Sequence, residues 1–273
     1  MTDRLLAAAI SAARTPAAEL VKGFRNQMQV DFKRDRHDPV TVYDKRAEEM
    51  IREHIFREVP ESTFMGEEGG STGNGPVTWY VDPIDGTANF AAGIAIWCTS
   101  VGAVVDRKVV AGAIYDPMSD TMFSASSEGA WINGKPMQPG KALPEENAVF
   151  LCGYPTARDF KLDGRETALN RLGQIVETVA TLRRPGSAAL NLCHVAAGWS
   201  DGAAGFNVNP WDVTAGALIV EKAGGRYVPL SLGLCDDDAP AHLQPGYLAL
   251  RAGANYPVLE GLCAEISQGR RKV

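Results

Sequence analysis

The stretch Trp79-Tyr80-Val81-Asp82-Pro83-Ile84-Asp85-Gly86-Thr87-Ala88-Asn89-Phe90 decides how this chain is read. Its lead-in, Val77 to Val81, is rich in β-formers and suits a buried strand. Pro83 has no N–H with which to continue a ladder, and Gly86 allows a turn that other residues resist. A strand that ends in two carboxylates, a glycine and a hydroxyl delivers acids to a cleft, and such loop positions are where function concentrates.

Three further acids occupy comparable places. Glu67 follows the short strand Thr63 to Met65 in the loop Gly66-Glu67-Glu68-Gly69-Gly70, and Asp212 lies in the first turn of a helix opened by Asn209-Pro210-Trp211 and ended by Gly224-Gly225. Asp44 follows Thr41 at the start of another helix. At an effective dielectric of ~20, two carboxylates ~4 Å apart repel by on the order of 4 kcal/mol. A cluster of Glu67, Asp82, Asp85 and Asp212 therefore needs protons, basic partners or a metal. Oxygen-only ligands select a hard cation, Mg²⁺ or Mn²⁺, over zinc. Plainer readings stand beside this one: Asp212 and Asp44 suit helix caps, and Glu67 with Glu68 suits a solvated loop pair.

Gly86 and Thr87 add amides and a hydroxyl beside the acids, which fits an anion bridged to metal, with phosphate the natural candidate. The small-residue helix start Gly186-Ser187-Ala188 offers amides to an anion or polar group, or is a simple helix entry.

With 273 residues and 45% apolar content the chain can bury a substantial core. A net charge of -6 and a pI near 5.3 argue against nucleic acid or an anionic membrane as partner. Five scattered cysteines without a C-x-x-C pair indicate neither a disulfide framework nor a thiolate zinc site, and they suit a reducing cytoplasm. The apolar run from Phe90 to Val105 falls short of the ~20 residues of a membrane helix and reads as core strand.

Along the chain, helical spacing runs from Leu5 to Met28 with a kink or restart at Pro16, and a second helix places Ala47, Met50, Ile51 and Ile55 on one face. After the central motif, Ile94 to Val105, Val109 to Tyr115 and Thr121 to Ser124 form an antiparallel meander. Beyond the polar stretch Gly134 to Glu146, strands and helices alternate: Ala148 to Cys152, Gly164 to Thr178, Thr181 to Arg184, Ser187 to Gly198 and Ala203 to Phe206. The basic end Gly269 to Val273 meets no evident structural demand. The expected class is α/β, or α+β layered, with helices and sheets in alternating layers of one domain over 1–273. Its subregions are a meander part to about residue 140 and an α/β part that supplies Asp212.

Other chemistries compete poorly. His37, His54, His194 and His242 lack ligand spacing, and neither G-x-S-x-G nor a P-loop is present. Asp82 and Asp85 stand three apart, which breaks the register of an aspartyl-nucleophile phosphatase loop.

Three segments resemble the inositol monophosphatase family of Mg²⁺-dependent, lithium-sensitive phosphatases, a group that includes the fructose bisphosphatases. They are Gly66-Glu67-Glu68, the Trp79 to Phe90 signature, and Pro210-Trp211-Asp212-Val213-x-Ala215-Gly216 through Ala223-Gly224-Gly225. The resemblance implies an inositol monophosphatase-like sandwich and a homodimer. It implies Glu67, Asp82, Asp85, Asp212 and the carbonyl of Ile84 as ligands of two to three Mg²⁺ ions. Gly86 and Thr87 would bind phosphate, Asp44 would pair with Thr87 to orient the attacking water, and Lys33 would lie near the substrate. The reaction implied is hydrolysis of a small phosphorylated metabolite by metal-activated water, with inositol 1-phosphate or a related polyol or sugar phosphate foremost. Histidinol phosphate, 3′-phosphoadenosine 5′-phosphate and fructose 1,6-bisphosphate are alternatives, and a silent metal-binding scaffold is one of another class. Gly205 stands where inositol-specific members place a glutamate, and Lys222 interrupts the pattern before Ala223-Gly224-Gly225.

Overall fold

A computed structural model describes residues 2–26, 30–32 and 39–270. Helix α1 (Thr2–Arg14) buries Leu5, Ala8, Ala9, Ala12 and Ala13, small side chains that let it lie close on a sheet. The chain restarts after Pro16 as α2 (Ala17–Gly23), as the spacing predicted. It stops earlier than expected because Gly23 is pressed against the Tyr43 ring and Phe24 turns to extended backbone; Met28 lies outside the described residues. Strands β1 (Val30–Phe32) and β2 (Pro39–Thr41) form an antiparallel ribbon, and Lys33 also falls outside the described residues. Helix α3 (Val42–Glu58) begins with a capping box of Thr41 and Asp44.

The first sheet holds β3 (Ser62–Gly66), β4 (Gly70–Gly73), β5 (Val77–Asp85), β6 (Cys98–Val105), β7 (Lys108–Asp116), β8 (Thr121–Ser126), β9 (Gly129–Ile132) and β10 (Lys135–Pro136), in the order β10-β9-β8-β7-β6-β5-β3-β4. The meander from β5 to β10 is antiparallel, whereas β3 runs parallel to β5. Both acid-bearing loops therefore leave the same end of the sheet. Two expectations need correction. Pro83 does not end the ladder: pairing breaks after Asp82↔Ser100 and resumes at Asp85↔Cys98, a bulge that absorbs the missing N–H. The run Phe90 to Val105 is not all strand, since α4 (Thr87–Ala92) takes its start and β6 begins only at Cys98.

The second sheet holds β11 (Val149–Cys152), β12 (Thr181–Arg183), β13 (Gly202–Phe206), β14 (Arg226–Leu230) and β15 (Gly246–Leu250), ordered β12-β11-β13-β15-β14. The parallel pairs of β11 with β12 and β13 carry α5 (Ala157–Asp163), α6 (Arg165–Thr178) and α7 (Ala188–Ala197) in their crossovers. Helix α8 (Pro210–Lys222) then leads to the antiparallel β14–β15 pair and to α9 (Pro257–Arg270), elements the sequence pattern did not predict.

Three of the four apolar cores among the described residues divide these elements into five alternating layers of helix and sheet. One core joins α1 and α3 to the first sheet, the second places α7 and α8 between the two sheets, and the third joins α6 and α9 to the outer face of the second sheet. Close approach in the middle layer depends on glycine: a Cβ at Gly102 would lie 2.5 Å from Thr214 Cγ2, and one at Gly112 would lie 2.8 Å from the Ala215 backbone. Arg270, in the basic end that meets no evident demand in the sequence, instead has a side chain only 5% exposed and paired with Asp159 and Asp163.

Candidate active site

Strand β5 carries Asp82 and Asp85 into the space between the sheets, at 3% and 8% exposure. The Asp82 carboxylate accepts the Ile84 amide at 2.9 Å. Burial pushes its pKa well above the usual carboxylate range, and Glu67, Asp85 and Asp212 push it further; Glu67 also shares a hydrogen bond with it. Two carboxyl groups can share such a bond only around a proton, so the cluster demands either protons or a cation. The Glu67 backbone is held to β5 by a 3.3 Å bond from its amide to the Val81 carbonyl.

Asp85 and Asp212 each face a helix start. Asp85 accepts hydrogen bonds from the Ser187 hydroxyl and from the amides of Ala188 at 3.3 Å and Ala189 at 2.7 Å. Burial raises its pKa to about 6 against the opposing effect of these donors. Asp212 accepts the Asn209 amide at 2.8 Å as part of a capping box on α8. The capping role foreseen for Asp212 is present, and the anion at the Gly186-Ser187-Ala188 helix start is the protein's own Asp85. Among the described residues no three acidic, cysteine or histidine side chains close into a ready cage. The donor chemistry nevertheless suits a hard cation. Asp85 Oδ1 accepts the Ala188 amide and has further lone-pair capacity, and Asp82 lies under the influence of Glu67, Asp85 and Asp212, carboxylates whose oxygens are hard donors.

Asp44 is 1% exposed and joins this cluster from α3. Its Oδ2 accepts the Thr41 amide and the Thr41 hydroxyl, each at 2.7 Å, while its Oδ1 accepts the Thr87 hydroxyl at 3.0 Å. Burial raises its pKa, against the lowering effect of these hydrogen bonds. The same Thr87 Oγ1 lies 3.0 Å from the Ile84 carbonyl. Gly86 is left-handed at φ 104, and a Cβ there would meet the Ile96 carbonyl at 2.9 Å, so glycine is required for the turn that places Thr87. Asn89 ties α4 across the cleft, its amide nitrogen donating to the Ile96 and Pro185 carbonyls at 2.8 Å each.

The order of strand end, bulge, left-handed glycine and threonine-bearing turn, opposed by Asp44 and fed by Glu67 and Asp212, is matched across the chain. Residues 1–269 match the inositol monophosphatase family. The chain belongs to the inositol monophosphatase family. It is 38% identical over 194 residues to a fructose-1,6-bisphosphatase/inositol-1-monophosphatase of Aquifex aeolicus, covering 70% of this chain and 72% of that protein. It is 34% identical over 254 residues to the Nus factor SuhB of Pasteurella multocida, covering 91% of each. The solved Thermotoga maritima IMPase superposes with a TM-score of 0.82 over 99% of both chains at 26% identity. This inositol monophosphatase family member is thus a phosphoric monoester hydrolase with the family's layered α/β architecture.

Two residues that shape the site escaped sequence reading. Glu48, one helical turn beyond Asp44, reaches the Glu67 loop, and its helical spacing from Asp44 was the available signal. Tyr247 on β15 packs on Gly205, where a Cβ would lie 2.5 Å from its Cε1; nothing local in the sequence pairs those positions.

Proposed function

We propose that the protein is a Mg²⁺-dependent phosphomonoesterase acting on a small polyol or sugar phosphate such as inositol 1-phosphate. The observation that carries this reading is the Thr87 hydroxyl held against Asp44 Oδ1 at the end of the strand bearing Asp82 and Asp85. Glu67, Asp82, Asp85, Asp212 and the Ile84 carbonyl would hold the cations. When bound, these ions supply charge neutralisation and Lewis-acid activation to phosphoryl transfer.

The chain's own groups do the rest. Thr87 donates its proton to Asp44 Oδ1, which leaves its oxygen lone pairs free to accept a hydrogen bond from the attacking water. The raised pKa of Asp44 brings it closer to working pH and makes it a better proton acceptor than an ordinary aspartate. The amides of Gly86 and Thr87 would receive the phosphate oxygens, with Lys33 and the exposed backbone at Gly186 beside the substrate. Ser187 and Ala188 would act on substrate through the placement of Asp85. A cytoplasmic homodimer and lithium sensitivity belong to the same reading.

The leaving-group side supports breadth. Gly205 offers no side chain to hold hydroxyls, and the Tyr247 ring and Val208 occupy the space beside it. The dual name of the Aquifex aeolicus relative favours fructose 1,6-bisphosphate as a second substrate. The test is a comparison of specificity constants for inositol 1-phosphate, fructose 1,6-bisphosphate, histidinol phosphate and 3′-phosphoadenosine 5′-phosphate with Mg²⁺. Turnover of the first two is expected, with loss in EDTA. No phosphate release from any of the four, with Mg²⁺ bound, would instead support a silent scaffold.

A further inference from the structure

Helix α3 carries a second buried carboxylate, Glu48, four residues and one helical turn after Asp44. It is 4% exposed. Its Oε2 accepts the Glu68 amide at 2.7 Å and its Oε1 accepts the Gly69 amide at 2.6 Å. One carboxylate therefore grips two successive amides of the loop that presents Glu67. The loop is shaped for this grip: a Cβ on Gly66 would collide with the Glu48 carboxylate, and one on Gly69 would lie 2.9 Å from Oε1.

The energetics point to position rather than to folding. Gly69 is exposed and Glu68 half-exposed, so water could satisfy both amides without help from the protein. Burying a carboxylate costs desolvation that its two amide bonds must offset, so what the contact adds beyond solvation by water is a fixed orientation of the loop. The loop is also held on its other side, where the Glu67 amide meets the Val81 carbonyl. With its backbone fixed to β5 and to α3, the Glu67 side chain is confined beside Asp82.

We propose that Glu48 is a positioning residue of the cation site. It locks the Glu67 loop to the same helix that sets Asp44, so one rigid element fixes both the loop carboxylate and the Asp44–Thr87 pair. This rests on the reading of Glu67 and Asp82 as cation ligands. Groups that orient ligands in this way change metal affinity by about 10–100-fold when removed.

The experiment is Mn²⁺ binding by calorimetry, without substrate, to the full chain and to its Glu48→Gln and Glu67→Gln variants. Glutamine keeps the length of the side chain but can accept only one of the two amides, its own NH₂ opposing the other. Mn²⁺ affinity weakened about 10–100-fold in Glu48→Gln is expected, together with faster hydrogen exchange at the Glu68 and Gly69 amides and recovery of kcat at saturating Mn²⁺. Wild-type Mn²⁺ affinity in Glu48→Gln overturns the proposal while leaving the cation site intact, provided Glu67→Gln has lost affinity. Should Glu48→Gln not fold, Glu48→Asp withdraws the carboxylate by one methylene from both the Glu68 and Gly69 amides, and wild-type affinity there overturns it equally. An unsubstituted protein that binds no Mn²⁺ overturns the phosphatase reading and this proposal together.

Discussion

The Thr87 hydroxyl lies 3.0 Å from Asp44 Oδ1, joining two residues 43 positions apart at the meeting point of α3 and the end of β5. Asp44 uses its other oxygen to cap its own helix, so the helix start and the Thr87 hydroxyl are set by one buried carboxylate. Removing either partner should lower kcat by roughly 10²–10⁴-fold, the range for a lost general acid–base contribution. Because they act as a unit, Thr87→Ala combined with Asp44→Asn should cost little more than the worse single change, whereas Thr87→Ser should keep most activity. Steady-state kinetics on inositol 1-phosphate check this.

The buried acids give a defined dependence of stability on pH and on metal. Asp85 titrates near 6 in the folded protein, against 3.8 for the free side chain, and Asp82 is shifted in the same direction. A raised carboxylate pKa means that the folded state binds the proton more tightly. That contribution to stability is present below about pH 4 and is lost as pH rises through about 6. Cations should offset the loss. In EDTA the melting temperature should carry this penalty at pH 8, and Mg²⁺ at ~100 times its Kd should restore about 2.7 kcal/mol, with a smaller gain at pH 5. Thermal melts at the two pH values, with and without Mg²⁺, decide it.

Gly205 cannot simply be exchanged for a hydroxyl-binding acid. A Cβ there would stand 2.5 Å from Tyr247 Cε1 and 3.1 Å from Val208 Cγ1. Gly205→Glu should destabilise the fold by about 1–3 kcal/mol through overpacking and should not sharpen preference for inositol 1-phosphate. Pairing it with Tyr247→Ala should relieve the clash. Denaturant melts and ratios of specificity constants read the two effects separately.

Arg270 holds Asp159 and Asp163 together at the far face of the second sheet, with N–O distances of 2.5 and 2.8 Å and all three side chains at or below 5% exposure. Arg270→Ala leaves two buried carboxylates without this partner. It should lower stability by about 3–5 kcal/mol while leaving KM for substrate unchanged in the protein that remains folded. Chemical denaturation with parallel kinetics tests the separation.

Much of the site was legible in the residues because its parts are local. A strand that ends in Asp82-Pro83-Ile84-Asp85-Gly86-Thr87, a capping pair at Thr41 and Asp44, and a proline-led helix start before Asp212 each carry their geometry within a few positions. The misreadings were also local. Pro83 and the apolar run after Phe90 were read by propensity alone, whereas a bulge absorbs the proline and Gly86 starts a helical turn. The β14–β15 pair and α9 went unread because their identity depends on neighbours distant in sequence.

The amino-acid sequence by itself determined which acids end strands and which glycines must turn, and its resemblance to the inositol monophosphatase family supplied the reaction class. Only the tertiary structure decided how the acids are oriented. It turned Asp85 toward the start of α7, placed Glu48 under the Glu67 loop and set Tyr247 against Gly205. The reason is physical. Backbone geometry at a strand end is written in neighbouring residues, but the direction and charge state of a buried carboxylate depend on donors and burial supplied from tens to hundreds of residues away.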